Sequence, residues 1–431
     1  MKNFFAIILI IMITGSAYAE SVSEAIEQKI VEHIDSQQVQ AVELLHKVVN
    51  INSGTMNFPG VKAVADIFIN ELDKLSFATR WIDGSEFGRA GHLFASRGDK
   101  GPKILLIGHL DTVFAKDSHF QSAEKLAGDK LKGPGVMDMK GGDVIIIYIL
   151  KALQAAAVLD NISLHVIMTG DEEARGAPHS IANKTLIDSA LWADIAIGFE
   201  DGDGDPATAV ISRRSASSWR LDVSGKPAHS SQIFRDDIGY GAIFEAARIL
   251  DGFRTSLSMI PNLTFNPGVI VGGTNIDQQE SESHWSAFGK NNVIAQTVMV
   301  SGGIRAVSPA QLAMAEEKMQ AIVAANLAHT DATLSFGEGY PPMAPGAGNK
   351  ELLSLYNQIS VQLGFGQVKA VDPRRAGAAD ISFTAKHVDM AIDGLGLMGE
   401  GGHTDNETAD MLTFTRQMKR AALLLYRLSL L

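Results

Sequence analysis

Lys103-Ile-Leu-Leu-Ile-Gly-His-Leu-Asp-Thr-Val113 is the stretch on which the fold of this chain turns. Lys103 to Ile107 reads as a buried strand, since a short apolar run bounded by turn signals fits a sheet covered on both faces. His109 and Asp111 follow it at i, i+2. At that spacing Asp111 can hydrogen-bond the imidazole from behind while the other ring nitrogen faces a metal. Open α/β sheets place their binding residues just past the ends of such strands. Other acidic or imidazole groups should then follow other strands of the same sheet.

They do. Ser163 to Met168 reads as a second strand and is followed by Asp171-Glu172-Glu173, three carboxylates that repel one another unless a cation or solvent separates them. Asp194 to Phe199 reads as a third, with Glu200 at its end. The next residues, Asp201-Gly202-Asp203-Gly204-Asp205, suggest calcium, but Pro206 stands at the sixth position, where an EF-hand needs glycine. Between the first two clusters, Asp138 lies between the glycines of Gly133-Pro134-Gly135 and Gly141-Gly142, which permit close backbone approach. A carboxylate held there could bridge two metal ions roughly 3.5–4 Å apart. Gly401-Gly402-His403 offers a last imidazole in a similar setting.

Around these motifs, short apolar runs alternate with helical periodicity at Ser23 to Val49, Val61 to Leu75 and Val144 to Val158. This is the rhythm of an α/β sheet with crossover helices. It changes near Ala207: Trp219 to Val223 alternates like a half-exposed strand, Tyr240 to Leu250 reads as helix, Val293 to Val300 as strand and Pro309 to Ala328 as helix. That order fits a two-layer α+β unit inserted at residues 208–332. The flanking pieces, 20–207 and 333–431, then make one discontinuous catalytic domain, which includes a helix at Lys350 to Leu363.

The 431 residues allow two domains, with 46% hydrophobic and 20% charged residues as in a soluble globular protein. Residues 1–19 read as a secretion signal: Lys2, the apolar run Phe4 to Ile13, then a small-residue Ala17-Tyr18-Ala19 cleavage site. The expected location is periplasmic or secreted. The run falls short of the ~20 residues that span a bilayer, so no membrane attachment is expected after cleavage. Cleavage removes only Lys2 among charges, taking the net charge from -12 to -13, which argues against nucleic acid as partner. With no cysteine, any metal must be held by His, Asp and Glu.

The motifs together resemble the zinc aminoacylase and carboxypeptidase group that contains bacterial glutamate carboxypeptidase, acetylornithine deacetylase and succinyl-diaminopimelate desuccinylase. The resemblance rests on Gly-His-x-Asp-x-Val at Gly108 to Val113, Gly-Pro-Gly-x-x-Asp-x-Lys-Gly-Gly at Gly133 to Gly142, and Asp171 to Glu173. It implies a zinc-peptidase-like mixed sheet flanked by helices, with the insert as lid and dimerisation domain. It implies two Zn2+ per chain, with Asp138 bridging, His109 and Glu200 completing one site, and Glu173 and His403 the other. Glu172 would be the general base, and Asp111, behind His109, counts with it among the catalytic residues. In the insert, Gly225-Lys226-Pro227-Ala228-His229-Ser230 resembles the lid motif whose His stabilises the oxyanion. Asn292, with Arg305 farther on, resembles the segment that holds the substrate carboxylate. Two positions depart from that pattern: Ala295 stands where the family commonly has Pro, and Gly303 where it has an acid.

The expected reaction is therefore cleavage of an amide or peptide bond next to a free carboxylate, on a small peptide or an N-acyl amino acid, most simply by a glutamate-carboxypeptidase-like exopeptidase. An N-acyl amino acid deacylase and a zinc aminopeptidase are the alternatives within enzymes, the latter not needing a lid that carries His229 and Arg305. A non-catalytic exported binding protein is the alternative from another class, and filled positions for all five metal donors and the base argue against it. Pairing of lids in a homodimer, or closure of the lid, would bring His229 to the metals.

Overall fold

The computed structural model describes residues 22–278 and 284–430; the expected signal at 1–19 lies outside the described residues. Two compact units emerge. One contains the chain up to Ile211 with Pro345–Val371 and Phe383–Leu431, and the other contains Ser212–Ala344 with Asp372–Ser382.

The first unit is built on a six-stranded mixed sheet in the order Ala78–Asp83, Gly91–Arg97, Ser163–Thr169, Lys103–His109, Ile195–Gly198, Met390–Ile392. The last four run parallel, and the first two form an antiparallel edge that the sequence reading does not include. Strand Lys103–His109 is buried from Ile104 onward, because it has parallel neighbours on either side and helices over the sheet. The helix Lys140–Ala155 is buried nearly all round, which explains its almost uninterrupted apolar run Val144 to Leu150. Helix Leu412–Leu428 packs in the same core, burying Phe414, Met418, Leu424 and Leu425.

The amphipathic segment at Ser23 to Val49 is divided into a helix over 22–36 and a helix Gln38–Val49. Residues 52–60 read as turn-rich, but helix Phe58–Lys74 already begins within them and buries Val61, Val64, Phe68 and Leu72. Among the described residues, no helix is long and apolar enough to cross a membrane.

A small four-stranded sheet matters for the site. In it Thr408–Asp410 pairs with Lys130–Lys132, so the turn after Gly401 lies beside the loop after Lys132.

The second unit is a two-layer α+β structure. Its antiparallel sheet has the order Thr264–Gly273, Thr297–Arg305, Ala216–Gly225, Thr330–Tyr340, with helices Gly241–Leu257 and Pro309–Ala324 contributing to one core around Trp219, Leu221, Ile249, Phe253, Val300 and Met319. Its boundaries differ from 208–332. Strand Thr330–Tyr340 pairs along Ala216–Gly225 and alternates half-buried with exposed residues, so the unit runs on to Ala344, and a second segment, Asp372–Ser382, joins it. The expected strand Val293 to Val300 begins only at Thr297; the residues before it form an isolated bridge, His229 with Val293.

Candidate metal centre

Parallel strands deliver three of the donors. His109 ends strand Lys103–His109, Glu173 follows Ser163–Thr169 after a short turn, and Glu200 follows Ile195–Gly198. Asp138 precedes helix Lys140–Ala155, and His403 sits in the turn between Gly399–Glu400 and Thr408–Asp410. The structure brings all five together in two overlapping triads, His109–Asp138–Glu200 and Asp138–Glu173–His403, whose donor atoms lie within 4.8 Å of one another in each.

The two oxygens of Asp138 divide between the triads. His109 Nε2 lies 3.0 Å from Asp138 Oδ1 and 3.6 Å from Glu200 Oε1. His403 Nε2 lies 2.9 Å from Asp138 Oδ2 and 3.3 Å from Glu173 Oε2. One carboxylate thus serves two groups of donors, the arrangement a bridging ligand requires. Two glycines allow it: Gly135 has φ +70, and a Cβ on Gly142 would meet Phe199 O at 2.0 Å. His403 itself adopts φ 62, a left-handed conformation uncommon for a residue with a Cβ.

The electrostatics fit a cation. Burial pushes Glu200 well above the usual carboxylate range, with Asp138 and Glu172 adding to the effect against the pull of His109. Burial and then Asp138 push Glu173 up to about 7. Burial opposes ionisation of Asp138 as well, but hydrogen bonds to His109 and His403 hold it well below the normal range. His403 is pushed up to about 11 by its bonds to Asp138 and Glu173. His109 is raised although burial opposes it, because Glu200, Asp111 and Asp138 surround it. So many acids at this spacing hold protons unless a divalent ion replaces them. The donors are nitrogen and oxygen only, a set that suits zinc and, less selectively, cobalt or manganese.

Asp111 works differently from the expectation. His109 Nδ1 bonds the backbone carbonyl of Asp111 at 3.0 Å, while the carboxylate stands 3.5 Å away. The ring is still braced from behind, leaving Nε2 for the donor cluster. The fully buried Asp111 carboxylate instead accepts from the amides of Glu172 (3.0 Å) and Glu173 (3.2 Å) and from Thr55 Oγ1 (2.6 Å). It therefore positions the turn that carries Glu172 and the donor Glu173. The acidic run is divided among roles: Asp171 is buried against Arg175 at 2.6 Å and the amide of Gly176 at 2.9 Å, which leaves Glu172 and Glu173 for the site. Burial raises Glu172, and Asp138 and Asp111 reinforce the shift against His109 and Arg175.

Sequence reasoning missed several supporting groups. Thr55 lies in a stretch that reads only as turn-rich. Asp393 accepts from the amide of Glu200 at 3.3 Å, and Glu407, fully buried, accepts from three amides of the Asp138 loop. Lone polar residues of this kind carry no spacing signal; four residues from His403 to Glu407 is the nearest to one.

Within the second unit, His229 and Asn292 are brought together: Ser230 N donates to Asn292 O at 2.9 Å, and Ile294 N to Ala228 O at 2.9 Å. The exposed His229 ring contacts Ser231 Oγ at 2.8 Å. Arg305 is exposed at the far end of strand Thr297–Arg305, opposite Thr264. Arg214 shares that end, donating to Thr264 Oγ1 at 2.9 Å and to the carbonyls of Pro373 and Arg374.

Residues 105–430 match the family described as Peptidase family M20/M25/M40. The chain is 25% identical over 427 residues to carboxypeptidase G2 of Pseudomonas sp. (strain RS-16), covering 97% of this chain and 96% of that one. Its fold is similar to the aminopeptidase PepT from Bacillus cereus, with a TM-score of 0.70, 16% identity, and coverage of 91% of this chain and 98% of that one. It is also similar to the Bacillus subtilis YXEP protein, described as a dinuclear metal binding peptidase, with a TM-score of 0.61, 14% identity, and coverage of 92% and 99%. The 9% left uncovered by the aminopeptidase is far smaller than the second unit, so the insert by itself does not set a carboxypeptidase apart from an aminopeptidase.

Proposed function

The chain belongs to peptidase family M20/M25/M40 and is a metallohydrolase, and on that premise we propose that it uses two zinc ions to cut an amide or peptide bond next to a free carboxylate, as a glutamate-carboxypeptidase-like exopeptidase. The observation that carries the reading is Asp138, with one oxygen toward each donor triad. Similarity to carboxypeptidase G2 along nearly the whole chain supports the choice of substrate class.

His109, Asp138 and Glu200 would hold one ion, and Asp138, Glu173 and His403 the other. Bound there, the ions supply Lewis acidity for hydrolysis. Glu172 takes a proton from the attacking water at its carboxylate and delivers it to the leaving nitrogen. Asp111 keeps Glu172 in place through its backbone amide. Arg305 offers a planar fork to the substrate carboxylate, and Arg214 and Arg374 beside it add positive charge. His229 donates to the developing oxyanion, with Asn292 alongside.

These roles bear on assembly. His229 pairs beyond the Thr297 end of the strand that terminates in Arg305, so at least eight strand steps, roughly 26 Å, separate the two. The carboxylate and the reacting carbonyl of the proposed substrate are near neighbours. That separation within one rigid sheet supports a homodimer in which His229 serves the site of the other copy, rather than closure of its own lid.

Hydrolysis of N-acyl amino acids and dipeptides, each with a free or an amidated C-terminus, tests the reading. Turnover of the free acids alone is expected. Turnover of C-terminally blocked peptides that requires a free α-amine would make the chain an aminopeptidase instead. We infer that this activity lies outside the cytoplasm, a reading supported by the leader-like sequence at residues 1–19 and tested by fractionation of cells expressing the full chain.

A further inference from the structure

The loop Gly133–Lys140 carries Asp138 but belongs to no sheet, so its amides need partners other than a neighbouring strand. Glu407 meets that need. Its Oε1 accepts from Met137 N at 3.0 Å and Asp138 N at 3.2 Å, and its Oε2 accepts from Gly135 N at 3.0 Å. Its own carbonyl accepts from Gly133 N at 3.1 Å. On the carbonyl side of the loop, the fully buried Lys140 donates to Pro134 O at 3.4 Å and Ile51 O at 2.9 Å.

The same residue closes the turn that carries His403. Glu407 N donates to Thr404 O at 3.0 Å, and Thr404 N and Oγ1 both reach Gly401 O. The turn is anchored by the next residue, Thr408, which pairs with Lys132 at the start of the Asp138 loop. Asp138 and His403 come from distant parts of the sequence, yet one residue, through its side chain and its backbone, fixes their two loops to each other.

We infer that Glu407 is a positioning residue for the proposed metal pair: its carboxylate sets the loop that presents the shared donor Asp138 and locks it to the turn that presents His403. This rests on the two-metal reading above. Three N–H groups converge on two oxygens, which a carboxylate can accept through its several lone pairs. Glutamine has the same shape but only one accepting oxygen, and its amide group would face an N–H. An unsatisfied buried donor follows, and the loop must shift to relieve it. Because Asp138 serves both triads, both metal sites feel that shift.

The test measures Zn2+ affinity by competition with a chromophoric chelator, and the Tm of the metal-free protein, for the full chain and for Glu407→Gln. Both Zn2+ affinities are expected to fall about 10- to 100-fold, the usual effect of removing an outer-shell partner. Asn349→Ala is the control: Asn349 also ties separate segments together, bonding Ile211 O at 3.0 Å and Ala391 N at 2.8 Å, but lies outside the site. It should lower the Tm and leave Zn2+ affinity unchanged. A Glu407→Gln protein that loses Tm but keeps both affinities within about twofold of wild type would overturn the inference. Failure of the wild type itself to bind zinc or another divalent metal would instead sink the two-metal reading. Should Glu407→Gln not fold, amide exchange in the metal-free wild type decides: Gly135, Met137 and Asp138 amides should be protected, and exchange at open-chain rates would refute the clamp.

Discussion

The polar groups of the donor cluster and those of the second unit are held in opposite ways. Around Asp138, the donor side chains lie close together, with His109 buried, Asp138, Glu173 and Glu200 half-buried and His403 exposed, and the cluster is braced from behind by Asp111, Asp393 and Glu407. His229, Asn292 and Arg305 are exposed and lean only on local contacts. Water reaches the second group freely but the acids of the first only in part. A buried cluster of acids is tolerable only with protons or a cation, whereas an exposed imidazole or guanidinium costs little wherever it stands. Substitutions of the five donors in the first region should therefore change metal content, and substitutions in the second should change kinetics alone.

The largest expected effect is at Asp138. Asp138→Ala should lose both metals by elemental analysis and show no turnover above background, while metal removal from the wild type by a chelator should do the same reversibly. Retention of one metal at full occupancy would mean that the two triads do not share their carboxylate.

Glu172→Gln comes next. It should keep both metals and lose about 10²- to 10⁴-fold in kcat, the range for removing a general base. Equal loss of metal from Glu172→Gln and Glu173→Gln would erase the division between these neighbours and blur the comparison of regions.

In the second unit, His229→Ala should cost about 10²- to 10³-fold in kcat, as for loss of an oxyanion donor, with metal content unchanged. Mixing it with Glu172→Gln under conditions of subunit exchange sharpens the assembly question. Half of an equal mixture would be mixed dimers with one intact site each, so activity should return to roughly a quarter of wild type. Exchange proven by mass without recovered activity would make His229 act within its own chain.

The smallest effect is expected at Arg305. Arg305→Ala should raise KM about 10- to 100-fold for substrates with a free carboxylate, from about 1.5–3 kcal/mol for a charged hydrogen bond. An amidated analogue should be affected little. Equal losses on both would assign Arg305 to structure.

The contrast between regions also governs what could be read from the sequence. His109, Glu173 and Glu200 were legible because each follows a parallel strand whose apolar run is conspicuous, and Asp138 because its glycines mark a tight approach. The antiparallel edge Ala78–Asp83 and Gly91–Arg97 was not, since its residues mix exposed and buried positions without a continuous apolar run. Strand Thr330–Tyr340 was lost for a similar reason, and the domain boundary moved with it. Glu407 was invisible because its partners are backbone amides, which leave no trace in residue identity. The rear bond of His109 to a carbonyl rather than to the carboxylate was hidden in the same way.

The insertion point has a consequence for how the chain is made. All residues of the His109–Asp138–Glu200 triad precede Ser212, where the second unit begins, but His403 follows its end. During synthesis the donors of one triad emerge before the second unit, but Asp393 and Glu407, which brace Glu200 and Asp138, emerge only after it. The other triad must wait until nearly the last turn of the polypeptide, with strand Met390–Ile392 and helix Leu412–Leu428 also still missing from the first core. Domains tend to fold in the order they emerge, and a unit completed across a long insertion pays its loop closure late. Completion of both triads would then mark the end of maturation, because the last donor, His403, and the braces Asp393 and Glu407 all arrive after the insertion.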